Sequence, residues 1–175
     1  SFHTAQKGNF MAHQFTIQHT ILGVSLHDFK NLVQDINLHE TVCHRIPGEN
    51  LEILESKIVD HTYSLCGTYH LDVNVPDLIK KLLKDAFRVK RTDVVNLDQL
   101  TSTIQLDTSL PVEANCKRVV TGSGGQVEVL VNWTVNVNIP LIGERIEKHA
   151  EGEIRKFSTL ELLIIEEEVK TRLSA

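Results

Sequence analysis

The sequence predicts one α+β domain in which a curved antiparallel sheet grips a long C-terminal helix. Two segments alternate strictly. Tyr63, Leu65, Gly67, Tyr69, Leu71, Val73 and Val75 fall on every second position, and so do Val127, Val129, Val131, Trp133, Val135, Val137 and Ile139. Alternation of that length marks strands with one buried and one wet face. After Pro140 the apolar period changes to about 3.6. Ile142, Ile146, Ala150, Ile154, Phe157, Leu160, Ile164 and Leu173 then form one stripe, with Ile165 and Val169 beside it. A helix from Pro140 to Arg172 is about 50 Å long at 1.5 Å per residue. No second helix of that length exists to cover the stripe, so the sheet must cover it.

The elements follow in order. Gln14 to Ile21 reads as a first strand, with Phe15, Ile17 and His19 on one side. Ser25 is a helix N-cap, and Leu26, Phe29, Leu32, Val33 and Ile36 follow at helical spacing. The helix extends through Val42 and Cys43 until Pro47-Gly48 stops it. Leu51 to Asp60 and Tyr63 to Val75 form a hairpin. Pro76-Asp77 opens a short helix with Leu78, Ile79, Leu82 and Leu83 on one side. Strands follow at Phe87 to Leu97 and Ser102 to Leu110, and Pro111 ends the latter. Ala114 to Thr121 and Gln126 to Ile139 make a second hairpin around Gly122-Ser123-Gly124-Gly125. In the terminal helix, Glu144 and Glu147 lie in the first turns and Lys170 and Arg172 in the last, and both placements complement the helix dipole.

Composition narrows the function classes. The chain has 175 residues, 41% of them hydrophobic. That length suits one domain, able to bury roughly 70% of its unfolded surface without staples. A net charge of -5 argues against a general affinity for nucleic acid. Cys43, Cys66 and Cys116 are an odd set at long spacings with no CxxC, which reads as free buried thiols in a reducing compartment. No stretch approaches the roughly 20 apolar residues of a membrane span. Residues 1–10, SFHTAQKGNF, carry no apolar run and precede Met11. They read as a remnant of expression or a disordered extension, with the domain over 11–175 and a cytoplasmic location.

Two segments carry a family likeness: YHLDVNVPDLIKKLL at Tyr69 to Leu83 and VNWTVNVNIPLIGERIEKHAEGEIRKF at Val131 to Phe157. In the second, a last strand runs through Pro-Leu-Ile-Gly into the long helix. With the order of elements over Gln14 to Leu173, they resemble the START-like superfamily. This superfamily, also called helix-grip or SRPBCC, includes the plant pollen-allergen and polyketide-cyclase groups. The closer likeness is to a bacterial member family known only as a domain of unknown function. The resemblance implies a seven-stranded sheet wrapped around the C-terminal helix, with an apolar cavity between them. Many relatives bind lipids, sterols, polyketides or plant hormones there, and some are cyclases or hydrolases, so the fold leaves function open. The short helix after Pro76 departs from the simplest pattern, which has a tight hairpin there.

The candidate cavity residues are Leu65, Tyr69, Leu71, Phe87, Ile104, Leu106, Trp133, Val135, Ile154 and Phe157. Each also serves as plain core, since alternation reports burial and not lining. Tyr69 and Trp133 each bring a polar atom that needs a partner when buried and would orient a ligand. His39, Cys43 and His44 resemble part of a metal site but lack the third or fourth ligand, and read as structural; no metal or cofactor is expected. Lys80, Lys81, Lys84, Arg88, Lys90 and Arg91 concentrate positive charge. They read as a solvated face, or as a contact for an anionic surface through Lys80, Lys81 and Lys84. The Gly122–Gly125 run lacks the lysine and helix of a phosphate loop. Asn132-Trp133-Thr134 fits a glycosylation sequon but lies within a strand. No GxSxG elbow exists; His19 and His70 fall on strands and read as surface groups. Glu161, beside the apolar stripe, is expected to reach solvent or, failing that, to have a raised pKa.

These residues favour a noncatalytic binder of an apolar, lipid-like or polyketide-like molecule. A cyclase- or hydrolase-type enzyme using the same cavity is the first alternative, and a partner-binding or dimerising module the second. Monomer and homodimer both remain open.

Overall fold

The computed structural model describes residues 12–175. The predicted extension over 1–10 lies outside them. The elements are β1 (His13–Leu22), α1 (Leu26–Leu32), α2 (Ile36–Arg45), β2 (Glu49–Val59), β3 (Thr62–His70), α3 (Asp77–Lys80), β4 (Arg88–Asn96), β5 (Thr101–Thr108), β6 (Val112–Ser123), β7 (Gln126–Val137) and α4 (Gly143–Ser174). The strands form one seven-stranded sheet in the order β1-β7-β6-β5-β4-β3-β2, with every neighbouring pair antiparallel. Strands β2 to β7 are a meander. The chain crosses from β1, at one edge, to β2, at the other, through α1 and α2. The α+β class and the sheet around the C-terminal helix are as the sequence predicts.

Local chemistry explains most boundaries. The Ser25 side chain accepts a hydrogen bond from the Asp28 amide at 3.1 Å and starts α1. The single helix expected from Leu26 through Cys43 is in fact two. Asp35 takes a second N-cap, accepting from the Asn37 amide at 2.9 Å, so α2 begins afresh at Ile36. The β6–β7 turn is the glycine run, with Gly124 and Gly125 at φ +60° and +77°, where only glycine is unstrained.

The strand predicted over Tyr63 to Val75 ends at His70. Beyond it the chain leaves the sheet and fastens onto α4. The Asn74 amide donates to Glu153 Oε1 at 3.1 Å, and His149 Nε2 lies 2.6 Å from the Asn74 carbonyl oxygen. The continuing alternation of Leu71, Val73 and Val75 therefore serves a loop over the cavity. The following helix is shorter than predicted: α3 is four residues, with Ile79 buried and Leu78 and Leu82 exposed.

Helix α4 packs most closely on β7, β1 and α2. Its buried residues include Ile146, Leu162, Ile164, Ile165 and Val169. Leu173, placed on the stripe by periodicity, is exposed at the helix end. The main core gathers Phe15, Ile17 and Ile21 of β1, the inward valines of β7 and the C-terminal half of α4. Burying this apolar surface at about 25 cal/mol per Å² is the dominant favourable term in holding helix to sheet. Away from β1 and β7, the space between α4 and strands β3 to β6 is not completely filled.

Candidate functional site

That space holds two adjoining chambers. The larger, about 140 Å³, lies under the Leu71–Pro76 loop and α3. It is walled by β4, β5 and β6, by Trp133 of β7, and by the face of α4 carrying Ile146, Ala150, Ile154 and Phe157. The smaller, about 110 Å³, lies under α1 and α2, between Phe29, Leu38 and Val42 above and Leu65, Val95 and Val120 below. Ile46, Tyr69, Arg91 and Glu161 border both.

Strand register builds the partition. Inward positions on β4 are Val89, Arg91, Asp93 and Val95, and β5 sets Leu106 opposite Arg91 and Ile104 opposite Asp93. On β6, Ala114, Cys116, Arg118 and Val120 share a face, with Arg118 opposite Ser102 of β5. Two arginines and an aspartate are thus directed at α4, which answers with Glu161. Arg91 Nε and Nη2 donate to Asp93 at 2.8 and 3.0 Å. Arg91 Nη2 also lies 2.9 Å from Glu161 Oε1, and Arg118 Nη2 lies 3.7 Å from the same oxygen.

The cluster corrects two expectations. Arg91, expected on a solvated face, turns inward and is largely enclosed. Glu161 does not reach solvent, and its pKa is not raised. Burial alone would push its carboxyl up, but the charges of Arg91 and Arg118 overcome that and hold it at about 2. Burial pushes the Cys43 and Cys116 thiols up to about 11 and the Tyr69 phenol above its ordinary value. At neutral pH the Cys43 thiol and the Tyr69 phenol therefore stay protonated and Glu161 stays ionised; His39, His149 and Glu153 also border the chambers.

The predicted cavity residues distribute as follows. Leu65 borders the smaller chamber, Tyr69 both, and Leu71, Phe87, Leu106, Trp133, Ile154 and Phe157 the larger. Ile104 and Val135 border neither. Both are buried within the main core. Trp133 Nε1 and Ser158 Oγ are buried without a hydrogen-bond partner among the described residues. Sequence reasoning missed Asp93 and Arg118 altogether. Their signal was present: Arg91 and Asp93 share parity with Val89 and Val95, and Arg118 with Cys116 and Val120, all inward positions.

The remaining candidates are divided between the wall of the smaller chamber and the surface. His39 borders the smaller chamber with Nε2 2.7 Å from the Val33 carbonyl oxygen; its ring stacks on Tyr63. Cys43 is buried and His44 exposed. No group of three or more His, Cys, Asp or Glu residues among those described is arranged to hold a metal ion. Lys80, Lys81 and Lys84 are exposed around α3. His19 Nε2 lies 3.5 Å from Glu166 Oε1, and His70 Nδ1 lies 3.0 Å from Asn50 Nδ2. The Asn132 side chain is exposed and accepts from Thr16 Oγ1. No helix among the described residues is long and apolar enough to cross a membrane.

A sheet wrapped on one long C-terminal helix over a partly filled interior is the helix-grip fold. Within it, the chain belongs to the family described as "Protein of unknown function (DUF2505)", whose pattern it matches over residues 19–167. Similar solved structures include the Zhui aromatase/cyclase of Streptomyces sp. R1128, at TM-score 0.64 and 11% identity over 92% of this chain and 96% of that one. A START superfamily protein of Mycobacterium smegmatis aligns at TM-score 0.58 and 11% identity, over 91% of this chain and 98% of that one. Norcoclaurine synthase of Thalictrum flavum, in complex with dopamine and hydroxybenzaldehyde, aligns at TM-score 0.55 and 14% identity over 91% of each chain. At such identities the likeness is one of fold. No curated protein matches the sequence.

Proposed function

We propose that this protein binds an apolar small molecule, lipid-like or polyketide-like, between its sheet and its C-terminal helix. The observation that carries the reading is the larger chamber: about 140 Å³, walled chiefly by carbon, in a protein otherwise able to pack its core. An apolar cavity of about 150 Å³ accommodates a benzene-sized molecule, so the chamber suits a ring or a short acyl segment without rearrangement. The Leu71–Pro76 loop, held to α4 through Asn74, forms its outer wall and is the natural route of entry.

The ionisable groups of the cavity favour a carrier or sensor over a catalyst. A cyclase or hydrolase working at neutral pH needs a group whose pKa is tuned toward 7. The Glu161 carboxyl and the Cys43 and Tyr69 protons are displaced away from it, and the two histidines that border the chambers, His39 and His149, are each engaged with a backbone carbonyl oxygen, at 2.7 and 2.6 Å.

Exposed Lys80, Lys81 and Lys84, beside exposed Leu78 and Leu82, support a contact between this rim and an anionic surface. Cosedimentation with vesicles containing anionic lipid, lost when the lysines are replaced by glutamine, would bear this out; equal sedimentation of the variant would refute it.

Native mass spectrometry of the purified protein, followed by denaturing mass spectrometry of the same sample, tests the binding reading. A mass excess lost on denaturation supports it. A bare protein that also takes up no neutral apolar probe, such as N-phenyl-1-naphthylamine, refutes it.

A further inference from the structure

The ion cluster between the chambers is unevenly satisfied. Arg91 is engaged by Asp93 and Glu161 at 2.8 to 3.0 Å. Arg118 is not. Its nearest carboxylate oxygen is 3.7 Å away, and its Nε and Nη2 atoms are buried with no acceptor among the described residues. These two N–H groups form one edge of the guanidinium, the planar fork that takes an acceptor oxygen. Trp133 Nε1, on the adjacent strand, is a second buried donor without an acceptor. Arg118 pairs with Val131, and Cys116 with Trp133, so the two donors are diagonal neighbours on the cavity wall, about 7–8 Å apart at the backbone.

Buried donors normally have partners, and each exception needs an explanation. Buried ion clusters are also weak devices for stability, since apolar residues of equal volume often serve as well. Both points direct attention to a ligand. The unsatisfied groups on both strands are N–H donors, so the ligand atom they want is an acceptor. Charge decides which acceptor. Arg91 and Arg118 already balance Asp93 and Glu161, and an added carboxylate would leave an unbalanced negative charge buried beside two others. A neutral oxygen carries no such cost. A carbonyl, which only accepts, leaves no donor of its own to satisfy.

We infer that the ligand of this cavity carries a neutral carbonyl oxygen, as a ketone, ester or amide, which Arg118 receives while the carbon skeleton occupies the smaller chamber, whose wall Arg118 forms. Trp133, on the wall of the larger chamber, supplies a second donor for a ligand that reaches across with a further oxygen. The inference rests on the reading of the cavity as a ligand site, and its test separates the two. Arg118 is here a binding residue; nothing requires it to act on the ligand chemically.

The experiment is a titration of the 15N-labelled protein with toluene, acetophenone and benzoate, followed by NMR of backbone amides and of the arginine Nε–H groups. The Arg118→Lys variant, which keeps the charge balance, assigns the Arg118 Nε–H signal by removing it. Acetophenone is expected to bind at least about tenfold more tightly than toluene, the smallest gain from a hydrogen bond with a charged donor. The Arg118 Nε–H signal should shift only with acetophenone, and Arg118→Met should abolish the preference. The signal shift in the wild type stands even if Arg118→Met does not fold. Equal binding of toluene and acetophenone with an unmoved Nε–H signal overturns the inference and leaves the cavity reading intact. Tighter binding of benzoate overturns the choice of a neutral group. Failure of all probes to bind overturns both.

Discussion

Replacing Glu161 by glutamine tests whether the buried cluster is held by charge. The glutamine keeps the volume and removes the negative charge facing Arg91 at 2.9 Å and Arg118 at 3.7 Å. The displacement of the Glu161 carboxyl to about 2 corresponds to about 3 kcal/mol of preference for its ionised form in the folded state. Coulomb's law at an effective dielectric of about 20 gives roughly 4–6 kcal/mol for each close pair, offset by the desolvation of the carboxylate. Both routes lead to a loss of about 3–5 kcal/mol in E161Q. That is a large fraction of the roughly 5–15 kcal/mol by which a domain is stable. In urea, with a slope of about 2 kcal/mol per molar, the midpoint should fall by about 2 M at pH 7. The pH dependence follows from the sign of the shift. Because the folded-state pKa is depressed, the contribution is fully present above the unfolded value of about 4.3 and is lost as pH falls through about 2. The gap between wild type and E161Q should therefore be constant from pH 7 to about 5 and close progressively toward pH 2. A loss below about 1 kcal/mol, or a gap unchanged at pH 2.5, would refute the reasoning.

Leu106→Trp, opposite the small Ala114 on the wall of the larger chamber, should fill that space and weaken binding of a neutral fluorescent probe at least about tenfold. Unchanged probe affinity in a folded variant would place the probe elsewhere. Glu153→Ala removes the acceptor of the Asn74 amide and should speed probe dissociation in stopped-flow displacement more than it alters the urea midpoint; an unchanged rate would show that the loop does not gate entry. Ile104→Ala, at a fully packed site rather than at the cavity, should cost about 2–5 kcal/mol in urea unfolding. A cost near zero would show that the core there is not close-packed.

Local sequence was sufficient to determine the strands, the long helix and the existence of an interior. Alternation and the 3.6-residue period are properties of single elements and depend only on which face is dry. Ser25 and the Gly122–Gly125 turn were legible for the same reason: a cap or turn is satisfied within a few residues. Tertiary structure decided everything that depends on a partner distant in sequence. Strand β3 stops at His70 because Asn74 finds Glu153 and His149, about one half of the chain away. Leu106 borders the void while Ile104 does not, because α4 sits nearer β7 and β1 than the middle strands, and alternation is blind to that distance. The cavity's charge pattern belongs to the same category. Arg91 is enclosed and Glu161 fully ionised only because β4, β6 and α4 bring Arg91, Asp93, Arg118 and Glu161 within hydrogen-bond or ion-pair reach of one another. A charge becomes tolerable in the interior only when its counter-charge arrives with it, and no single segment of the sequence contains both.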